Sequence, residues 1–179
     1  MNWAIAVTIS RILLIPVFII SLVNYIGGDD KYRIFAIILF SIASISDFAD
    51  GFIAKIFNQE TELGRFLDPI ADKLLLVSAF VMLVIVNLIP VWVVIVVITR
   101  DVIILFGCVI IYLILDDIEI RPRILSKITT CLQMITIFFV LIKNPYARYF
   151  WFVTALITTI SGLDYIKYAT MKIGEKADL

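Results

Sequence analysis

Residues 46–73 read SDFADGFIAKIFNQETELGRFLDPIADK, and they set Asp47, Asp50, Asp68 and Asp72 inside what is otherwise membrane-spanning sequence. The spacing of these acids is regular. At about 3.6 residues per helical turn, Asp47, Asp50, Gly51 and Ala54 fall at i, i+3, i+4 and i+7, on one stripe. Gly64, Asp68 and Asp72 fall at i, i+4 and i+8, on another. The break NQETE at 58–62 is short, so the two helices are expected to run antiparallel as neighbours with their acidic stripes facing. Four carboxylates would then converge within the membrane, below one of its surfaces.

The rest of the chain supports the membrane reading. Of its 179 residues 63% are hydrophobic, and the mean hydropathy is +1.09, too apolar for an ordinary soluble domain. A helix needs about 20 residues to cross a hydrocarbon core about 30 Å thick. The polar breaks GGDDKYR (27–33), NQETE (58–62), NLIP (87–90), DDIEIRPR (116–123) and KNPYAR (143–148) divide the sequence into six segments of near that length. No strand-like alternation, linker or repeat competes. The expected fold is all-α, one membrane domain over 1–179 with six transmembrane helices. MNWAIAVTISRILLIPVFII is interrupted by Arg11 and lacks a small-residue cleavage site, so it is read as a retained first helix. Basic residues orient the helices. With NQETE at the cytoplasm, Lys55, Arg65, Arg121, Arg123, Lys127, Lys167, Lys172 and Lys176 flank the inner surface, against Lys31, Arg33, Lys143 and Arg148 outside.

Composition also narrows the chemistry. The sequence contains no histidine, which removes Ser-His-Asp triads and the usual His-bearing zinc sites. Cys108 and Cys131 lie in apolar runs and read as small hydrophobes. Catalysis must use carboxylates, Lys, Arg or hydroxyls. A central Asp costs roughly 2.5–3.5 kcal/mol on insertion scales, and clustered carboxylates repel, so cations must sit among the four. An all-oxygen set suits Mg²⁺, Mn²⁺ or Ca²⁺, and two divalent ions would neutralise four aspartates. Gly51 and Gly64 remove side chains where the stripes begin and permit close approach. Pro69 frees the carbonyl of Arg65 from its helix bond. Scattered loop acids or the ion path of a transporter are the competing readings. Neither requires a glycine directly after the second acid or the G-x-x-x-D-x-x-x-D rhythm.

DFADGFIAK, eight residues, then GRFLDPIAD resembles the signature of the CDP-alcohol phosphatidyltransferases, D-x2-D-G-x2-A-R-x8-G-x3-D-x3-D. One position departs: the arginine of the motif is Lys55 here, which keeps the charge and loses the bidentate fork. The resemblance implies transfer of a phosphatidyl group from CDP-diacylglycerol to an alcohol, with CMP leaving. It implies that Asp47, Asp50, Asp68 and Asp72 hold two divalent cations, Mg²⁺ or Mn²⁺. Asp72 would also be the general base, and Gly51, Ala54, Lys55 and Gly64 would line the cytidine-diphosphate site. A homodimer in a bacterial inner membrane, with its active site facing the cytoplasm and no nucleic-acid partner, is the accompanying expectation.

The acceptor is the open question. Arg100 in the fourth segment and Arg121, Arg123 and Lys127 at the start of the fifth are candidates for an acceptor phosphate. Positive-inside anchoring is the plainer role for Arg121 and Arg123, and a structural pair with Asp101 for Arg100. Arg11 and Lys73 could meet lipid phosphates or offset the acids. SDFADGF and GRFLDPIADKLL are similar to the phosphatidylglycerophosphate synthases, which use glycerol 3-phosphate. LIPVWVVIVVITRDV and SKITTCLQ are also similar to CDP-diacylglycerol-dependent cardiolipin synthases, which use phosphatidylglycerol. The first is favoured, with the second as the alternative and an ion-coupled transporter as the non-enzyme alternative.

Overall fold

The computed structural model describes residues 3–57, 62–115 and 124–177, with the side chains of 9–46, 71–108, 111, 124–172 and 174. Among the described residues there are six helices and no strand: α1 (Trp3–Tyr25), α2 (Asp30–Phe57), α3 (Glu62–Ile85), α4 (Val91–Leu115), α5 (Ile124–Leu141) and α6 (Ala147–Ala177). The six expected segments are present. Three breaks are shorter than expected: α3 begins at Glu62 and α6 at Ala147, each just inside its break, and α2 already begins at Asp30 rather than after Arg33. At α2 the cause is local: the Asp29 carboxylate accepts a hydrogen bond from the Lys31 backbone N–H at 3.0 Å, and Asp30 adds negative charge to the first turn. Val91–Cys108, Ile124–Leu141 and Ala147–Lys172 are long and apolar enough to cross a membrane, and Ile9–Tyr25 is a shorter apolar helix. The protein is an integral membrane protein.

The chain forms two compact units. The first comprises Met1–Ile89 and Ile137–Pro145, in which α1 packs against both α2 and α3. The buried stripe of α1 is Arg11, Ile15, Phe18 and Leu22, spaced i, i+4, i+7 and i+11. The two helices it packs against bury Ala36, Leu39, Phe40 and Ala43 on α2 and Leu75, Leu76, Ala79, Phe80 and Leu83 on α3. Phe18 and Phe40 bring their ring centroids to 6.1 Å. The opposite face of α1, with Leu13 66% and Ile20 59% exposed, is as apolar as the core. Such a face suits lipid or a partner within the membrane.

At one end of this unit the turns are closed by backbone geometry. Asn87 (φ 58°) ends α3 and Lys143 (φ 54°) ends α5 in the left-handed region. Leu88 N–H bonds the Leu83 carbonyl at 2.9 Å and Asn144 N–H the Phe139 carbonyl at 3.1 Å, the six-to-one bond of a Schellman cap. Arg33 donates to the Leu141 carbonyl at 2.8 Å and to Asp30 at 3.0 Å. That hydrogen bond from Arg33 holds the exposed Asp30 carboxyl below its usual value of 3.8. A cavity of about 360 Å³ lies here, lined by residues that include Tyr25, Gly28, Asp30, Asn87 and Lys143.

The second unit comprises Pro90–Thr136 and Tyr146–Leu179, and α4 packs along α6. The contact is tight at Gly107, where an added Cβ would stand 2.4 Å from Cε1 of Tyr165. Tyr165 donates its hydroxyl proton to Cys108 Sγ at 3.1 Å. Toward the other end Trp92 packs edge-on against Trp151, centroids 5.4 Å apart. The hydroxyls of Thr136 on α5 and Thr154 on α6 are 2.6 Å apart and buried, the interhelical glue of membrane bundles.

Candidate active site

The acid-bearing sequence is helical, as expected. Asp47, Asp50, Gly51, Ala54 and Lys55 lie in the last turns of α2, and Gly64 and Asp68 in the first turns of α3. Their helical conformation preserves the i, i+3, i+4 and i, i+4, i+8 stripes. Their side chains lie outside the described residues, as do Arg121 and Arg123 altogether. Among the described residues no group of three or more His, Cys, Asp or Glu side chains is assembled. The fit to a metal pair therefore rests on Asp72, a hard oxygen donor of the type Mg²⁺ and Mn²⁺ take.

Asp72 is the acid whose surroundings are visible. Its Oδ1 accepts a hydrogen bond from Nη1 of Arg11 at 2.6 Å. The arginine side chain is 3% exposed and the aspartate 28%. Sixty-one residues separate the two in sequence, and α1 joins them because its inward stripe begins at Arg11. The sequence pattern contained a signal for the burial of Arg11, not for its partner. Arg11 precedes Ile15, Phe18 and Leu22 on a single helical stripe, so packing that buries those three also buries the guanidinium.

Arg100 is placed differently. It is 3% exposed; Nη1 donates to Asp101 at 2.8 Å, and Nη2 donates to Ser126 Oγ at 2.7 Å and Ser161 Oγ at 3.0 Å. One arginine thus ties α4 to α5 and α6. The serines were not singled out in the sequence, where isolated hydroxyls in apolar helices carry no visible pattern. Arg100 Nε and the buried Thr158 hydroxyl have no hydrogen-bond partner among the described residues. Both residues line a groove of about 210 Å³ with Ile95, Thr99, Gly162 and Leu163. Lys127 is exposed on α5, one residue beyond Ser126.

Residues 1–161 match the CDP-alcohol phosphatidyltransferase family. The chain belongs to that family. Membership makes it a CDP-diacylglycerol-dependent phosphatidyltransferase of phospholipid biosynthesis. The chain is 34% identical to the CDP-diacylglycerol–glycerol-3-phosphate 3-phosphatidyltransferase of Bacillus subtilis (strain 168), over 89% of this chain and 90% of the relative. It is 32% identical to a Mycobacterium tuberculosis protein named "Probable phosphatidylglycerophosphate synthase", over 97% of this chain and 84% of the relative. It is also 32% identical to a Drosophila melanogaster protein named "Probable cardiolipin synthase (CMP-forming)", over 94% of this chain and 58% of the relative.

Proposed function

We propose that this phosphatidyltransferase uses glycerol 3-phosphate as acceptor and forms phosphatidylglycerophosphate, releasing CMP. One observation carries the choice. The Bacillus relative, named for the glycerol-3-phosphate reaction, is matched over 90% of its length, whereas the cardiolipin synthase relative is matched over 58% of its own.

In this reading the whole of 1–179 is one membrane domain with six spans. Both termini and the acid-bearing helix ends face the cytoplasm, in a bacterial inner membrane and as a homodimer. The positive bias of the flanking residues supports that orientation. Asp47, Asp50, Asp68 and Asp72 would hold two divalent cations, Mg²⁺ or Mn²⁺. Bound there, the ions would offset the acids and the charge developing on the pyrophosphate. Gly51, Ala54, Lys55 and Gly64 would accommodate the cytidine diphosphate. The acceptor hydroxyl oxygen attacks the phosphorus that carries the diacylglycerol, the bond from that phosphorus to the CMP oxygen breaks, and the hydroxyl proton passes to Asp72. The partial exposure of Asp72 supports this role, since a general base must be reachable by the proton it accepts.

The acceptor phosphate is assigned to Arg121, Arg123 and Lys127, with Arg100 as the fourth candidate. The engagement of Arg100 by Asp101, Ser126 and Ser161 favours a framework role. The deciding experiment is CMP release from CDP-diacylglycerol in detergent with a panel of acceptors. Glycerol 3-phosphate is expected to drive it. Release stimulated by phosphatidylglycerol and not by glycerol 3-phosphate would overturn the proposal in favour of cardiolipin synthesis.

A further inference from the structure

We propose that Arg11 is the positioning residue of the reaction: it fixes the Asp72 carboxylate so that the proton of the acceptor hydroxyl can be taken. The inference rests on the reading of Asp72 as general base. Three observations carry it. The contact is short, 2.6 Å from Nη1 to Oδ1, a little under the roughly 2.7–2.9 Å usual for charge-assisted N–H···O bonds. Its two members differ in accessibility: Arg11 is 3% exposed and Asp72 28%. The buried partner is held by packing, and the accessible one can meet a substrate. Finally, α1 packs on both acid-bearing helices, α2 and α3, so a side chain anchored on its inward stripe is held relative to both.

The alternative role for Arg11, contact with a donor or lipid phosphate, requires a guanidinium that a ligand can reach. Arg11 at 2% residue exposure does not offer one. A pure charge-compensation role would be met by any cation nearby. The arginine brings instead a planar guanidinium with fixed donor directions, which constrains the rotation of the carboxylate it binds. A carboxylate held in one orientation keeps its proton-accepting oxygen within reach of the substrate. A rotation of the same group misplaces that oxygen by an ångström or more, which costs on the order of 10²-fold in rate.

The test is a double-mutant cycle with two readouts: steady-state CMP release in the presence of Mg²⁺, and thermal unfolding in detergent with EDTA. Arg11→Met is expected to lower kcat by about 10²-fold while the KM for CDP-diacylglycerol stays near its wild-type value, the pattern of a lost transition-state interaction. Arg11→Lys is expected to recover part of kcat. In the Asp72→Asn background Arg11→Met should cost nothing further, because the group it orients is gone. In EDTA the double variant should melt above Arg11→Met, which leaves a buried-side carboxylate without its guanidinium. If Arg11→Met does not fold, the Arg11→Lys comparison of kcat against KM still decides. A raised KM with kcat preserved would overturn the inference in favour of phosphate binding, and losses that simply multiply in the double variant would overturn it too. Asp72→Asn with full activity would remove the base and this inference together. Asp72→Asn inactive beside a fully active Arg11→Met would remove this inference alone.

Discussion

Replacing Arg100 by Met separates two roles that the sequence left open. In the structure Arg100 is 3% exposed and the Asp101 side chain 10%, and the guanidinium makes three hydrogen bonds of 2.7–3.0 Å to Asp101, Ser126 and Ser161. Met fills much of the same volume, so the cavity term is small and the lost polar contacts dominate. Breaking a buried pair by removing one member costs about 3–5 kcal/mol. The lower end applies here, since Asp101 keeps some exposure, and at roughly 2–4 °C per kcal/mol for a chain of this size the melting temperature should fall by about 6–12 °C. Were Arg100 instead a direct ligand of the acceptor phosphate, the loss would be a charged hydrogen bond of about 1.5–3 kcal/mol, or a rise in the KM for glycerol 3-phosphate of roughly 10- to 150-fold. Both quantities can be read on one purified variant, by dye-monitored unfolding in detergent and by CMP release at varied acceptor concentration. A melting temperature within a degree of wild type, together with a strongly raised acceptor KM, would refute the framework role.

Gly107→Ala should destabilise by about 1–3 kcal/mol, the range for overpacking, because its Cβ would meet the Tyr165 ring at 2.4 Å. Gly174→Ala, with nothing within 4 Å of the new methyl, is the control and should melt no lower than wild type. CMP release should stop in EDTA and return on adding Mg²⁺ or Mn²⁺. Full turnover in chelator would sink the assignment of the aspartates to metal.

The architecture was legible because hydropathy and breaks act over short range. Each of the six helices occupies one of the expected segments, and the boundary that moved furthest did so for a local reason. DDKYR carries four charges and reads as loop, yet Asp29 is a good N-cap and Asp30 suits a first turn, so α2 starts before the charges end. The acidic rhythm of 47–72 was legible for the same reason: a period near 3.6 is a property of one helix. What escaped were contacts between helices far apart in sequence. Arg11 reaches Asp72 across 61 residues and Arg100 reaches Ser161 across another 61. Nothing in the sequence around either arginine says which carboxylate or hydroxyl it will meet. The Schellman caps at Asn87 and Lys143 escaped too, since neither residue is the glycine that usually announces a left-handed position.

The two buried arginines allow a functional pair to be told from a structural one. Each guanidinium is 3% exposed and each is bonded to an aspartate, so the cation alone does not distinguish them. The carboxylates do. Asp101 is 10% exposed and adjacent in sequence to its arginine, which also holds two serines, so the arrangement ties elements together within the unit. Asp72 is nearly three times as accessible, and its arginine comes from a different helix. A charge in a membrane protein is tolerated when paired and retained in an accessible position when it has work to do there. Burial of the pair as a whole would stabilise no better than apolar packing of the same volume. The exposed half of the Arg11–Asp72 pair is therefore the part that fold stability does not account for, and a group that binds or accepts from a ligand is what would keep it there.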